Sequence, residues 1–295
     1  MANARALDKR RKSIRNIRKI TRTMELIATA RYKKAMDRAA AATAYTDQIT
    51  KIVGRLADAG LDVQHPLLQQ REEIRSARVL VLASNRGLCG GYNASILRTA
   101  VPHIREQKEL RSAMAVDVSG KRGINGLAFR KITADQKFTQ FEDQPAYAEV
   151  ESIAEDYLSR YITGEIDRLD VVYTKFISTS RQTPVIETLL PLGSLSGDQD
   201  GAAATGGGSA DYEFLPSAAS ILEEVVPTSF KVRLFKCFLD AAVSEQVARM
   251  IAMKGATESA GDMIKQLSMT YNRARQSQIT GEIMEIIGGV EALEG

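Results

Sequence analysis

The first sixty residues carry the hydrophobic pattern of one long α-helix. No glycine comes before Gly54 and no proline before Pro66, and the segment is rich in Ala, Arg, Lys and Met, which are good helix formers. Apolar side chains recur at spacings of 3, 3, 4 and 3, at Ile14, Ile17, Ile20, Met24 and Ile27. Such spacing predicts a coiled-coil stripe. The stripe then thins to alanines, at Ala28, Ala35, Ala39 and Ala42, which favour close approach of a second helix or partial exposure in a larger assembly.

A second helical pattern fills residues 217–295. Its apolar or small positions first recur at spacings of 4, 3, 4, 3, 4 and 3, at Phe230, Leu234, Cys237, Ala241, Ser244, Ala248 and Ile251. After a stretch that contains glycine, the pattern resumes at Ile264, Leu267, Tyr271, Ala274, Ile279, Ile283, Ile286 and Val290. Because both terminal segments are long and have seams of small residues, we predict that they pair as an antiparallel coiled coil.

Between the two helical segments the pattern changes to short β-like runs. Three such runs lie at 78–83, 114–118 and 170–177, with helical stretches at 93–108 and 148–166. Strands that alternate with helices predict a Rossmann-like α/β domain with a largely parallel sheet. The next segment is rich in Gly, Ala and Ser and predicts a flexible loop or insertion. The predicted organisation is a helix at 1–60, an α/β domain at 76–192, a Gly-rich loop at 193–215 and a helix at 217–295.

Length and composition restrict the classes of protein that fit. The chain has 295 residues, of which 44% are hydrophobic and 26% charged, enough for about two folded domains. Its longest uncharged stretch, 87–97, is shorter than the roughly 20 residues that cross a bilayer, so we expect no transmembrane segment. Two histidines and two cysteines, all far apart, predict neither a metal site nor a disulfide framework. The lack of an apolar leader favours a cytoplasmic, reducing compartment.

Charge is distributed unevenly along the chain. Residues 1–58 contain fifteen Lys or Arg and five Asp or Glu, an excess of ten positive charges. Residues 217–295 contain eight basic and ten acidic residues, an excess of two negative charges. The basic helix could therefore pair with the acidic helix, with an acidic protein, or with a nucleic acid or anionic lipid, or it could present a solvated face with no partner. No aromatic side chain precedes Tyr32, which disfavours nucleic-acid binding through base stacking.

No catalytic or cofactor-binding motif stands out. The Gly-rich turn at 84–93 follows a predicted strand and opens a predicted helix, but its glycines at positions 87, 90 and 91 do not fit a dinucleotide fingerprint. The segment around Gly120 lacks the first glycine and the Ser or Thr of a phosphate loop. Cys89 lies near a helix start and could be a nucleophile, but neither histidine is visibly tied to it. We therefore predict no catalytic residues, no metal and no cofactor.

Three parts of the chain match a known family in order and spacing. They are the basic helix at 11–28, the turn at 84–93 with its Ser-Asn-Arg-Gly-Leu-Cys-Gly sequence, and the C-terminal segments 244–254, 271–276 and 279–289. Over nearly its whole length the chain resembles the gamma subunit family of the F-type ATP synthase. It departs from that family at Val290, where alanine is usual, and in its Gly-rich loop.

The resemblance implies an architecture and a role. It implies that the terminal helices form a shaft inside a ring of three alpha and three beta subunits, and that the α/β domain rests on the membrane c-ring beside epsilon. Because the nucleotide sites of this family belong to the beta subunits, the chain would be a non-catalytic rotor that couples ion flow to ATP synthesis or hydrolysis. The lack of a transit peptide favours a peripheral position on the cytoplasmic face of a bacterial inner membrane.

The resemblance also assigns partner contacts by position. Contact with the beta catch loops, or a part in coupling, is implied for Met24, Arg249, Arg275, Gln276, Thr280 and Glu282. Residues 283–293 are apolar on a helix end that one partner helix would hardly cover, and such a surface marks an interaction site. The family turns this end in a hydrophobic bearing, which implies bearing contacts for Ile286, Ile287, Val290 and Leu293.

Two other classes of function stay open from the residues alone. The chain could be an α/β enzyme with helical extensions, which would turn over a small ligand without partners. It could also be a basic coiled-coil protein that binds nucleic acid, with an affinity that falls steeply as salt rises.

Overall fold

The structure, a computed structural model, describes most of the chain. It covers residues 4–58, 66–68, 71, 73–141, 144–192 and 218–294, without the side chains of 47, 50–58, 218–222, 291 and 294. The predicted Gly-rich loop at 193–215 lies outside these residues. In chain order the elements are α1 (Ala4–Asp58), β1 (Ser76–Leu82), α2 (Tyr92–Leu110), β2 (Ala113–Ser119), α3 (Lys121–Phe129), β3 (Gln136–Phe138), α4 (Tyr147–Ile162), β4 (Arg168–Phe176), β5 (Gln182–Leu190) and α5 (Ala218–Glu294).

The chain divides into two compact units, and both long helices contribute to each. The first, which we call the helix-pair unit, consists of Met1–Thr29 and Arg249–Gly295. The second, the sheet unit, consists of Ala30–Ala248. These divisions fall within α1 and α5, whereas the predicted organisation divides the chain at the ends of the helices. That organisation stays a prediction.

A five-stranded sheet forms the centre of the sheet unit. The strand order is β3-β2-β1-β4-β5. β1 runs parallel to both β2 and β4, β3 runs parallel to β2, and β5 runs antiparallel to β4. Six of the seven residues of β1 are buried, which suits a parallel strand that has helices on both faces. The predicted Rossmann-like α/β architecture is confirmed.

Each face of the sheet has its own hydrophobic core, because alternate residues of a strand point to opposite faces. Val79 and Val81 of β1 pack on one face with Ile96 and Ile104 of α2 and Leu127 of α3. On the opposite face, the neighbouring β1 residues pack against α4 and α5; this core includes Leu80, Leu82, Leu169, Val171, Tyr157, Tyr161, Phe230, Leu234 and Phe238. The sheet is therefore the middle of three layers.

The seam predicted on α5 faces the sheet and does not face α1. Phe230, Leu234, Cys237 and Ala241 belong to the core between α4, α5 and the sheet. The Ser244 hydroxyl donates a hydrogen bond of 3.1 Å to the carbonyl of Thr174 in β4. The last predicted seam residue, Ile251, is 52% exposed. An adjacent stripe of α5, with Leu239, Val243 and Val247, packs instead on Ala35 and Ala39 of α1. Ala35 and Ala39 of α1 thus allow α5 to approach closely, which is one of the two outcomes expected from the sequence.

In the helix-pair unit, α1 and α5 run antiparallel. Thr21 accepts a 2.9 Å hydrogen bond from Thr257, and the Arg11 guanidinium lies 4.6 Å from the ring centre of Tyr271, so positions that rise along α1 fall along α5. The predicted antiparallel pair is confirmed, but the predicted apolar stripe on α1 is not its contact surface. Thr21, Glu25 and Ala28 are buried there, while Ile17, Ile20 and Ile27 are 46%, 59% and 47% exposed.

Candidate functional site

One flank of the helix pair is a basic groove. It is lined by Lys12, Arg15, Asn16, Arg18, Lys19, Arg22 and Thr23 of α1 and by Thr257 and Ile264 of α5. Asp8 is bonded to Arg11 and Lys12 at 2.6 and 3.0 Å, and hydrogen bonds from these two side chains hold the pKa of Asp8 below its usual value. Arg22 is bonded to Glu25 at 2.7 Å. Five cations thus share this groove with two nearby carboxylates.

A different flank of α1 is apolar. Ile17, Ile20, Met24 and Ile27 follow one another at spacings of three and four residues, so they lie on one face of the helix. Met24 is half-buried and the three isoleucines are about half exposed. The basic residues Arg15, Lys19 and Arg22 project from another part of the helix circumference, since one residue advances it by about 100°. The helix-pair unit therefore presents chemically different flanks.

Two of the predicted partner-contact residues share a cleft. Arg275 and Glu282 line it together with Gln278 and the first turns of α1. The Gln278 side-chain amide donates a 2.9 Å hydrogen bond to the Glu282 carboxylate, which steadies that acid on the exposed surface. Gln276 and Thr280 are also exposed on the same stretch of α5, but they do not line this cleft.

The other two predicted contact residues lie apart from this cleft. Arg249 is 31 positions before Thr280 on α5, which corresponds to about 46 Å along the helix axis. Its side chain is 6% exposed and is already engaged by its surroundings. Met24 belongs to the apolar flank of α1. The structure therefore distributes the predicted contacts over most of the helix-pair unit.

The C-terminal end of α5 is apolar and exposed. Ile286, Ile287, Val290 and Leu293 are 67%, 53%, 51% and 89% exposed. The register of the pair places the first described residue of α1, Ala4, near Gln278, so α5 continues for about sixteen residues past it. A contiguous apolar surface of this kind marks an interaction site.

The Gly-rich turn at 84–93 forms a tight connection from β1 to α2. The Ser84 backbone and hydroxyl and the Cys89 thiol all lie within hydrogen-bond distance of the Asn93 side chain, at 3.0, 3.0 and 3.2 Å. Cys89 is 2% exposed, which leaves it closed to a substrate. The cavity beside this turn measures about 40 Å³, which is room for a water molecule rather than a nucleotide. This geometry supports the interpretation of the segment as a structural turn.

The sheet unit buries several ionisable groups, and they pair with one another. Asp117 is fully buried and accepts 2.8 Å hydrogen bonds from Arg78 and from Tyr157. Asp170 accepts from His103 at 2.9 Å. Burial alone would raise the pKa of Asp170, but hydrogen bonds from His103, Thr188 and Arg168 hold that pKa below its usual value. Among the described residues, no three or more His, Cys, Asp or Glu side chains are grouped to hold a metal ion.

The groove residues Arg15, Lys19 and Arg22, and Glu25 beside them, did not emerge from the sequence, where only the total charge of the helix was evident. The signal that could have revealed the groove is the spacing of Lys12, Arg15, Lys19 and Arg22 by three or four residues, which places like charges on one side of a helix.

The sequence also predicts no membrane-spanning segment, and the length and hydropathy of the helices bear on that prediction. Within the described part of the chain, no helix is long and apolar enough to cross a membrane.

Solved structures share this fold. Two chains from the mitochondrial ATP synthase of Euglena gracilis match it, one from its rotor with a TM-score of 0.61 at 16% identity and one from its OSCP/F1/c-ring assembly with a TM-score of 0.63 at 18% identity. The first match covers 94% of this chain and 98% of that one, and the second covers 98% and 94%. The chain therefore shares the fold of these two chains over nearly its whole length.

Sequence relatives define the family. The ATP synthase family model matches residues 3–293. An ATP synthase gamma chain of Rhodopirellula baltica is 82% identical over the full length of both chains, and one of Leptospira biflexa is 36% identical over 99% of this chain and 100% of its own. The chain belongs to the ATP synthase gamma chain family. The resemblance inferred from the three sequence motifs is confirmed.

Proposed function

We propose that this chain is the central rotor shaft of an ATP synthase and couples ion flow through a membrane c-ring to ATP synthesis or hydrolysis in an α3β3 ring. The observation that carries the proposal is the family match over residues 3–293, on a chain that presents an antiparallel helix pair with chemically different flanks. The alpha, beta and epsilon subunits and the c-ring are its proposed partners.

The unlike flanks supply a physical basis for coupling. If the pair stands in the ring, each beta subunit meets a different side of it, such as the basic groove with Arg15 and Lys19 or the apolar flank with Ile20. Each side stabilises a different beta conformation, so rotation shifts the relative stability of the three conformations in turn. The basic groove attracts acidic loops through contacts that are oriented yet reversible.

The proposed contacts with the beta catch loops involve residues on both helices. Arg275, Gln276, Thr280 and Glu282 are exposed, so they are available to a loop that approaches α5. Met24 is half-buried and presents part of its side chain on the apolar flank. Arg249 is buried and engaged, so its proposed role requires a partner to reach the edge of its guanidinium or to rearrange its surroundings.

The proposed bearing is the end of α5. Ile286, Ile287, Val290 and Leu293 offer no hydrogen-bonding groups on their side chains, so few directional contacts would resist rotation inside an apolar collar. Such a collar would also remove this exposed apolar surface from water, which would stabilise the contact by roughly 25 cal/mol per Å² of apolar area buried.

We further propose that the chain has no catalytic residues or cofactor of its own. The small cavity at the turn after β1, the buried Cys89 and the structural pairing of His103 support this view. The proposed location is peripheral, on the cytoplasmic face of a bacterial inner membrane. The relationship to gamma chains of bacteria such as Leptospira biflexa supports it.

Purification of the tagged chain from its native membranes tests the proposal. We expect alpha and beta subunits in threefold excess over the tagged chain, with ATPase activity that the isolated chain lacks. A chain that is recovered alone, that hydrolyses ATP by itself, or that is recovered with nucleic acid would overturn the proposal.

A further inference from the structure

A carboxylate is buried in the helix-pair unit, next to the basic groove. Glu25 is 9% exposed. Its Oε1 atom accepts a 2.7 Å hydrogen bond from Nη1 of Arg22. Its Oε2 atom is buried and has no hydrogen-bond partner among the described residues. A half-satisfied buried carboxylate is unusual, because buried polar groups are normally fully hydrogen-bonded, and it calls for an explanation.

The partner of this carboxylate is itself a surface residue. The Arg22 side chain is 58% exposed and lines the basic groove. In the described residues its guanidinium makes one hydrogen bond, the one from Nη1 to Glu25. A guanidinium carries five N–H donors in a fixed planar fork. Arg22 therefore keeps most of its donors available while one nitrogen is held in place.

Three of the other four groove cations are not held in this way, and the fourth, Lys12, is bonded to Asp8, whose side chain is more exposed than that of Glu25. Arg15, Arg18 and Lys19 form no ion pair within the part of the chain that the structure describes. Like charges at spacings of three and four residues repel one another, which drives such long side chains apart and keeps them mobile in solvent. Arg22 differs because a carboxylate that is shielded from water by α5 attracts it more strongly than an exposed one would.

We propose that Glu25 is a positioning residue that holds the Arg22 guanidinium at the edge of the basic groove, where its free donors bind a carboxylate of the alpha or beta subunits. A planar guanidinium that is already oriented loses less freedom when it forms two parallel hydrogen bonds with a carboxylate. Glu25 itself contacts no partner. The inference rests on the proposed function and adds to it a specific chain of ion pairs, from Glu25 through Arg22 to a carboxylate of the partner.

The first test compares coupling in complete complexes reconstituted into vesicles. ATP-driven ion uptake, with protons and sodium followed in parallel, is divided by the rate of ATP hydrolysis for wild type, Glu25→Gln, Arg22→Gln and the double variant. We expect each single change to lower this ratio roughly two- to fivefold, and the double change to lower it no further than Arg22→Gln alone. The loss should shrink at high salt.

A matched control lies on α5. Asp262 is bonded to Lys265 at 3.5 Å with the same three-residue spacing, so Asp262→Asn removes an ion pair of the helix-pair unit without touching the basic groove. This variant should keep the wild-type ratio. A purely structural role of Glu25 would lower thermal stability and leave the ratio unchanged. Additive losses in the double variant, or an unchanged ratio in Glu25→Gln, would overturn the proposal.

A second measurement applies if a variant assembles poorly. Arg22→Lys in an otherwise native complex supplies an amine that a carbodiimide joins directly to a touching carboxylate. We expect a link from position 22 to an acidic residue of alpha or beta, and a lower yield of that link when Glu25→Gln is added. A link to Glu25 alone, or a yield that Glu25→Gln leaves unchanged, would refute the inference. Failure to recover alpha and beta at all would instead count against the proposed function.

Discussion

The two units of the chain differ in which side chains they bury. The sheet unit buries its large apolar residues on both faces of the sheet and pairs its buried charges, as in the group of Asp117, Arg78 and Tyr157. The helix-pair unit buries Thr21 and Glu25 between its helices and leaves Ile17 and Ile20 half exposed. The sheet unit therefore covers most of its large apolar side chains within itself, whereas the helix pair leaves apolar and basic flanks exposed to other chains.

Removal of a buried charge from the sheet unit is the largest expected effect. Asp117→Ala leaves Arg78 as a buried, uncompensated cation and also removes the acceptor of Tyr157. Loss of one partner of a buried ion pair costs about 3–5 kcal/mol, which we expect as the fall in the free energy of unfolding in urea. The control Glu285→Ala, on an exposed part of α5, should change it by less than about 0.5 kcal/mol. Equal effects of the two changes would erase the contrast between the units.

A second buried carboxylate should make stability depend on pH. Burial raises the pKa of Asp240 to about 6, against a partial lowering by Lys236 and Lys175. Because this pKa is raised on folding, the neutral form stabilises the native state at low pH, and this contribution is lost as the pH rises through 6. Asp240→Asn should therefore gain up to about 3 kcal/mol at pH 8 and almost nothing near pH 4.

Urea unfolding of both proteins across this pH range measures the difference. The control Asp262→Asn concerns an aspartate whose side chain is 72% exposed in the helix-pair unit, and it should show no comparable trend. A constant difference between Asp240→Asn and wild type at all pH values would contradict the assigned cause.

Met24→Lys tests the apolar flank directly. The change adds a charge to a half-buried position between Ile20 and Ile27, where an apolar contact with a beta subunit is proposed. We expect ATP-driven ion pumping to fall several-fold more than ATP hydrolysis in reconstituted vesicles. The beta subunits would still hydrolyse ATP, but their contact with the helix pair would be altered, so hydrolysis would drive rotation less effectively. Equal losses of pumping and hydrolysis would show that the substitution damages the complex generally.

The smallest expected effects are changes in stability when one glycine from each unit is replaced by alanine. A Cβ at Gly288 meets nothing within 4 Å, so Gly288→Ala should raise the helicity of the isolated chain, with about 0.5–1 kcal/mol of added helix stability. Gly120→Ala in the sheet unit should instead destabilise, because Gly120 has a φ of +98° and its Cβ would lie 2.1 Å from the Ala83 carbonyl oxygen. Circular dichroism and thermal unfolding of both variants measure the contrast. A gain in stability for Gly120→Ala would contradict it.

The sequence indicated the sheet unit well where hydrophobic runs are long. β1, β2 and β4 and helices α2 and α4 match predicted elements, although α4 ends at Ile162 rather than at 166. Three elements were missed for physical reasons. β3 has three residues, too few for a period; β5 carries Pro184, which an edge strand tolerates; and α3 contains Gly126, where a Cβ would lie 2.3 Å from Leu97 of α2.

The helix pair was harder to predict because apolar side chains on α1 can belong either to the contact with α5 or to a surface that faces another subunit. A search for buried positions selects Ile17, Ile20 and Ile27, yet these serve the outward flank, and the contact with α5 is one residue away, at Thr21 and Ala28. Period alone cannot separate a seam within the chain from a surface kept for another subunit. The family resemblance supplied the missing information, since it implied partners on the outside.

Rotation of the chain inside its complex is the central claim, and direct observation tests it best. Cys89 and Cys237 are each 2% exposed, so Lys108→Cys on the exposed end of α2 provides one accessible thiol for a bead. The complex is fixed to glass through its beta subunits and supplied with ATP. We predict that the bead turns in one direction and stops when ATP is withdrawn. A stationary bead on a complex that hydrolyses ATP would contradict the account.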